Sequence, residues 1–145
     1  MNTTAVCPRP GFTLIELIVV IVVLGVLASL VAPNIFRHVG TAKSATARSQ
    51  IEMFGAALDA YRLDAGHYPS TANGLAALSQ APNGAAAASW RGPYLRKVVP
   101  LDPWNHPYAF VAPGTVNPTG YDLLSYGADG TPGGDGDNAD IVSWK

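Results

Sequence analysis

Cysteine is nearly missing from this chain of 145 residues. The one cysteine, Cys7, has no second thiol to pair with, so no disulfide within the chain stabilises the fold. Small domains outside the reducing cytosol usually rely on such bonds, so another stabiliser is expected here.

Charge of either sign is also sparse. Nine Lys and Arg residues oppose ten Asp and Glu residues, which leaves a formal net charge of -1. A chain this close to neutrality has no basic surface field to attract nucleic acid, so a nucleic-acid-binding function is disfavoured.

The residues that hydrolytic enzymes need are few. The three histidines, at positions 38, 67 and 106, form no HExxH motif, and the chain contains no GxSxG sequence. His67 and His106 both lie in turn sequences, which favours solvent-facing histidines. A membrane-anchored hydrolase is therefore disfavoured.

One long apolar run is present, residues 12–32, and Glu16 is its only charged residue. A helix of these 21 residues would be about 31 Å long, enough to cross the hydrocarbon of a bilayer. The run predicts a membrane-spanning helix and not a signal peptide, because it continues without a cleavage site into an amphipathic stretch. A carboxylate within a membrane is costly and indicates a functional partner. A shallow Glu16 that reaches the headgroups is the alternative.

Beyond the run, the pattern from residue 41 to residue 64 predicts a soluble amphipathic helix. Pro33 lies before it and predicts a kink or local loosening between residues 32 and 40. Gly66 is the expected C-cap. Four apolar residues at 3, 4, 3 spacing form one stripe that we expect in the core: Ile51, Phe54, Leu58 and Tyr61.

Short β-type runs follow at residues 108–111, 121–124 and 141–144, separated by Pro, Gly and Asn. They predict a small antiparallel sheet that packs on the helical stripe. A further β-type run covers residues 94–99, and Asp102-Pro103-Trp104 predicts a turn with a buried aromatic ring. The predicted class is α+β: a long N-terminal helix, half transmembrane and half amphipathic, packed on this sheet.

An acidic, glycine-rich stretch lies at residues 129–140, DGTPGGDGDNAD, and no Lys or Arg occurs between Lys97 and Lys145. Its four aspartates repel one another, which favours a counter-ion. Asp and Asn oxygens with freely turning glycine backbone suit Ca²⁺ better than Mg²⁺, although the EF-hand spacing is missing. A solvated acidic loop is the alternative.

The segment Gly11-Phe12-Thr13-Leu14-Ile15-Glu16 resembles the processing site of the type IV pilin-like superfamily. The resemblance implies that a prepilin peptidase removes a leader of residues 1–11 by cutting between Gly11 and Phe12, and that Phe12 is then N-methylated. It also implies that Glu16 meets the methylated amine of the next subunit during assembly. The PRPG end of this leader departs from the more basic leaders usual in that superfamily.

The longer match, through DPW and YDLLSYGADG to DNADI, is closest to the major pseudopilins of type II secretion systems. It implies a pilin-like fold with a transmembrane and assembly helix at 12–36 and a periplasmic domain at 37–145. It also implies a calcium loop at 126–141. The family pattern DDI is changed by Ala139 and the loop is longer, so Asp135 or Asp137 is expected to substitute, and Asn138 is a further candidate to complete the site. The other implied ligands are the Tyr126 carbonyl, Asp129 and Asp140.

The implied function is a structural subunit, not an enzyme, of the secretion pseudopilus. This helical filament assembles from the bacterial inner membrane and drives folded proteins across the outer membrane. The implied partners are further copies of the chain, the prepilin peptidase, minor pseudopilins, the inner-membrane assembly platform and, before assembly, membrane lipid. A single membrane pass would place the C-terminal domain in the periplasm. The alternatives are a type IV pilin or minor pilin of an adhesion or motility filament, and a monomeric membrane-anchored calcium-binding module.

Overall fold

The computed structural model describes the backbone of residues 11–145 and their side chains except at 31–38 and 85. One long helix, α1 (Leu14–Ala65), precedes a small sheet. The strands of that sheet are β1 (Ala109–Val111), β2 (Asp122–Ser125) and β3 (Ile141–Val142), and short 3-10 helices cover Gly74–Leu78, Gly84–Ala87 and Gly136–Asn138. The predicted α+β class is confirmed, whereas residues 1–10 of the predicted leader lie outside the described part.

Helix α1 is helical throughout, including at Pro33. The expected kink or loosening falls mostly on residues 31–38, whose side chains lie outside the description. The helix ends at Ala65, where the N–H of Gly66 donates to the Arg62 carbonyl at 2.8 Å. Gly66 has a φ of +81°, which glycine adopts at little cost, so the predicted C-cap is confirmed.

The chain divides into two compact units between His38 and Val39. In the first unit, every large apolar side chain from residue 12 to residue 30 is between 42% and 90% exposed. Within the described residues, no helix combines the length and apolar character needed to cross a membrane. Residues 31–36 of the predicted spanning segment belong to the part whose side chains are not described.

The second unit is built on the predicted stripe of α1. Ile51, Phe54, Leu58 and Tyr61 are all buried, together with Leu78, Phe110 and Leu123 from the rest of the unit. The 3.6-residue period of a helix placed these four side chains on one face, which the sheet and the loops cover. Burial raises the pKa of Tyr61.

The sheet is antiparallel throughout, in the order β1-β2-β3. Phe110 pairs with Leu123, and Ser125 pairs with Ile141. The predicted strands lie within two residues of these bounds. The β-type run at 94–99 forms no strand, because the N–H groups of Tyr94 and Leu95 both donate to the Leu78 carbonyl instead.

Asp122 opens β2 with a buried carboxylate that is 3% exposed. It accepts hydrogen bonds from the N–H groups of Thr115, Val116 and Asn117 at 2.6, 2.8 and 3.0 Å, and from the Thr115 hydroxyl at 3.0 Å. Burial alone would raise the pKa of Asp122, but these hydrogen bonds to the charged form outweigh it and lower the pKa below its ordinary value.

Asp122→Asn is expected to lower the melting temperature of the full chain at pH 7 by roughly 5 °C or more. The cause is that an amide NH₂ group would face backbone donors. Since the folded pKa is depressed, the stabilisation by Asp122 is present above the unfolded pKa of about 4 and is lost as pH falls through the folded pKa. Calorimetry of both proteins in detergent from pH 7 to pH 3 checks this. If the difference in melting temperature between the two proteins stays constant with pH, this role of the Asp122 charge is contradicted.

Candidate functional site

The first candidate site is the N-terminal segment around Glu16. The Thr13 hydroxyl accepts from the Glu16 N–H at 3.3 Å. In return, Glu16 Oε2 accepts from the Thr13 N–H at 3.2 Å and from the Thr13 hydroxyl at 3.1 Å. This reciprocal pair is a capping box, which satisfies N–H groups that the first turn of a helix leaves free. The T-x-x-E spacing could have predicted this second role of Glu16.

The second candidate site is the acidic loop after β2, residues 126–141. Gly127, the second residue of the loop, has a φ of +68°. A side chain there would collide with the Asp137 carbonyl at 2.8 Å and the Ala139 carbonyl at 3.0 Å. The Ala128 N–H donates to that Asp137 carbonyl at 2.9 Å. The two ends of the loop are thereby held together, with backbone oxygens facing Gly127.

The predicted side-chain ligands have different environments within this loop. Asp129 is exposed, and its Oδ1 accepts from the Thr131 N–H at 3.1 Å. Asp135 is also exposed and caps the short helix Gly136–Asn138 without a side-chain hydrogen bond.

Asp137 lies against α1. A methyl group added to Gly40 would come within 2.0 Å of Asp137 Oδ1, so only a bare backbone at position 40 admits this carboxylate. This contact brings the acidic loop onto the helix, 97 positions earlier in the sequence.

Asp140 is the predicted ligand that has a buried oxygen without a hydrogen-bond partner. Its Oδ2 accepts from the Gly133 N–H at 2.9 Å. Its Oδ1 is buried and has no hydrogen-bond partner. An unpaired buried carboxylate oxygen is costly, and no Lys or Arg lies in this stretch of sequence to neutralise it. A bound cation would satisfy it.

The described residues contain no cluster of three or more His, Cys, Asp or Glu side chains that could hold a metal. A calcium ion does not need one, because backbone carbonyls are among its ordinary ligands. The orphaned oxygen of Asp140 and the oxygen-only chemistry of the loop therefore fit Ca²⁺.

His106, two residues beyond the DPW turn, reaches this loop and was not predicted to do so. His106 was expected to face solvent, but it is half-buried and its Nδ1 lies 3.0 Å from the Gly127 carbonyl. The buried member of the turn is Asp102, at 3% exposure, whereas Trp104 is half-buried. Asp102 turns inward because its carboxylate accepts from the N–H groups of Trp104 and His106.

Comparison with protein families covers nearly the whole chain. The family described as type II secretion system, protein G, matches residues 34–144. The chain belongs to this family. The prokaryotic N-terminal methylation motif matches residues 9–32, a range that includes the predicted cut site and Glu16. The resemblance to the major pseudopilins is thereby confirmed.

Individual members of the family match over most of their length. The type II secretion system core protein G of Pseudomonas aeruginosa is 47% identical over 137 residues, covering 94% of this chain and 95% of that protein. The protein of the same name from Vibrio cholerae is 41% identical over 138 residues, covering 94% of this chain and 92% of that protein.

The fold agrees with that of a solved family member. The crystal structure of the major pseudopilin from the type 2 secretion system of enterohaemorrhagic Escherichia coli is similar, with a TM-score of 0.57 and 33% identity. The match covers 72% of this chain and 88% of that chain. The pilin-like fold is confirmed.

Proposed function

We propose that this chain is the structural subunit of a type II secretion pseudopilus, and not an enzyme. The observation that carries the proposal is the N-terminal unit, in which the large apolar side chains of residues 12–30 are all exposed. So large an apolar surface indicates a membrane or protein partner. Glu16 adds a single negative charge, which needs a positively charged partner whether the surface is covered by a membrane or by protein.

The same surface suits two successive partners. Before assembly, lipid would cover it and hold the chain in the bacterial inner membrane by a single pass, with the second unit in the periplasm. After assembly, further copies of the chain would cover it. Identical subunits joined head to tail form an open helical filament when the rotation between them does not close.

Glu16 would set the register of that filament. After cleavage between Gly11 and Phe12, the methylated amine of Phe12 on one subunit would meet the Glu16 carboxylate of its neighbour. Either charge alone is penalised away from water, whereas the pair is not, so the contact forms only when the neighbour docks in register. The growing filament would drive folded proteins across the outer membrane, with minor pseudopilins and an inner-membrane assembly platform as partners.

The acidic loop would bind Ca²⁺ as a structural ion. Asp140, Asp129 and the Tyr126 carbonyl would hold it. Asp135 is favoured over Asp137 to complete the site, because the Asp137 carboxylate lies against Gly40 and the side chain of Asp135 makes no capping bond. The ion would supply the positive charge that this stretch of sequence lacks and would hold the loop to β2 and β3.

Filament formation tests the proposed function directly. Cells that co-express the full chain with a prepilin peptidase and a type II assembly platform are expected to produce filaments visible by electron microscopy. Mass spectrometry of the filaments should find a mature chain that begins at methylated Phe12. Gly11→Leu is expected to block cleavage and to remove the filaments. A processed chain that stays monomeric would favour a membrane-anchored calcium-binding module instead.

A further inference from the structure

The DPW turn and the start of the acidic loop are joined by a closed ring of hydrogen bonds. Asp102 Oδ1 accepts from the His106 N–H at 2.8 Å, and Asp102 Oδ2 accepts from the Ser125 hydroxyl at 2.5 Å. The Ser125 oxygen in turn accepts from the Gly127 N–H at 3.3 Å. The His106 side chain completes the ring at the Gly127 carbonyl, 3.0 Å away. Because a carbonyl can only accept, Nδ1 carries the proton in this contact.

These contacts fix the two peptide planes on either side of Gly127. Each peptide group is planar, so holding one of its atoms orients the others. Ser125 holds the plane that carries the Tyr126 carbonyl, a proposed calcium ligand. His106 holds the next plane, whose Ala128 N–H donates to the Asp137 carbonyl. Gly127 has no side chain and a positive φ, so it supplies little restraint of its own.

The imidazole also packs on the backbone that follows Asp129. A methyl group added to Gly130 would lie 3.1 to 3.3 Å from three atoms of the His106 ring. The ring therefore contacts both Gly127 and Gly130, and the turn that carries Asp129 lies between these two contacts.

We infer that His106 is a positioning residue for the calcium site, acting through the peptide planes of Gly127 and through Gly130. This inference rests on the proposed calcium site. His106 does not touch the ion. It holds the Tyr126 carbonyl and the Asp129 turn in the arrangement that the ion requires, and so reduces the ordering that binding must otherwise supply.

The test is the Ca²⁺ dissociation constant of the full chain in detergent, measured by isothermal titration calorimetry for three variants. His106→Asn carries an N–H at the position of Nδ1, whereas His106→Gln carries its N–H one atom farther out, at the position of Nε2. We expect Gln to weaken binding roughly tenfold and Asn to restore most of the affinity. His67→Gln, in the exposed turn after α1, is the matched control and should bind like the unmodified chain.

The possible results distinguish the role of His106 from the existence of the calcium site. If the unmodified chain binds no Ca²⁺, the proposed site itself is wrong. If it binds and the Gln variant binds equally well, the role of His106 is overturned. The melting temperature of each variant in EDTA measures any purely structural damage. Loss of packing alone lowers this melting temperature without changing the dissociation constant for Ca²⁺. Should the Gln variant not fold, His106→Ala is expected to show the same loss of affinity, and an unchanged affinity there overturns the inference.

Discussion

Glu16→Gln is expected to abolish filament assembly while α1 remains capped. A capping box accepts Gln in place of Glu, because the amide oxygen can still accept from the Thr13 N–H. The charge is lost, however, and the methylated amine of the neighbouring subunit would be left unpaired. Stranding one partner of a buried ion pair costs about 3–5 kcal/mol, and this cost recurs at every subunit of the filament. Electron microscopy of cells expressing the variant checks the result.

Thr13→Val is the matched control. It removes the hydroxyl that accepts from the Glu16 N–H but keeps the carboxylate. Filaments should persist in this variant, and mass spectrometry should find both variants cleaved after Gly11. If the Gln variant forms as many filaments as the unmodified chain, the charge of Glu16 has no role in register and only its capping role remains.

Removing Ca²⁺ is expected to lower the melting temperature of the second unit, Val39–Lys145. An ion present at 100 times its dissociation constant stabilises the folded state by about 2.7 kcal/mol. For a unit of this size that corresponds to roughly 10 °C. The physical source is Asp140 Oδ1, which is buried without a partner when no cation is bound. Calorimetry of the full chain in detergent, with Ca²⁺ and with EDTA, measures the shift.

Asp140→Asn should remove this calcium-dependent shift. In EDTA the variant is expected to be at least as stable as the unmodified chain, because the buried side-chain atom without a hydrogen-bond partner no longer belongs to a charged group. Glu52→Gln, which neutralises an exposed carboxylate on α1, is the control and should keep the full shift. An unmodified chain that melts at the same temperature with and without Ca²⁺ would contradict the metal site.

The helical part of the fold was predictable because its signal is local. A stripe at 3, 4, 3 spacing can bury itself only as one face of a helix, and Phe54, Leu58 and Tyr61 are accordingly buried. The strands were found to within two residues for the same reason. The run at 94–99 misled the prediction, because Tyr94 and Leu95 bond to the Leu78 carbonyl. No local pattern encodes a partner so far away in the sequence.

The amino-acid sequence by itself was enough to establish the apolar N-terminal helix, its single acidic residue, the α+β class and the acidic loop. Each of these depends on residues close together in sequence. Only the tertiary structure determined which residues surround the acidic loop. Gly40 admits Asp137, and His106 reaches Gly127 across 21 positions of sequence. The physical reason is that hydrogen bonds and close packing are set by distance in space, which the spacing of residues does not report once a chain folds back on itself.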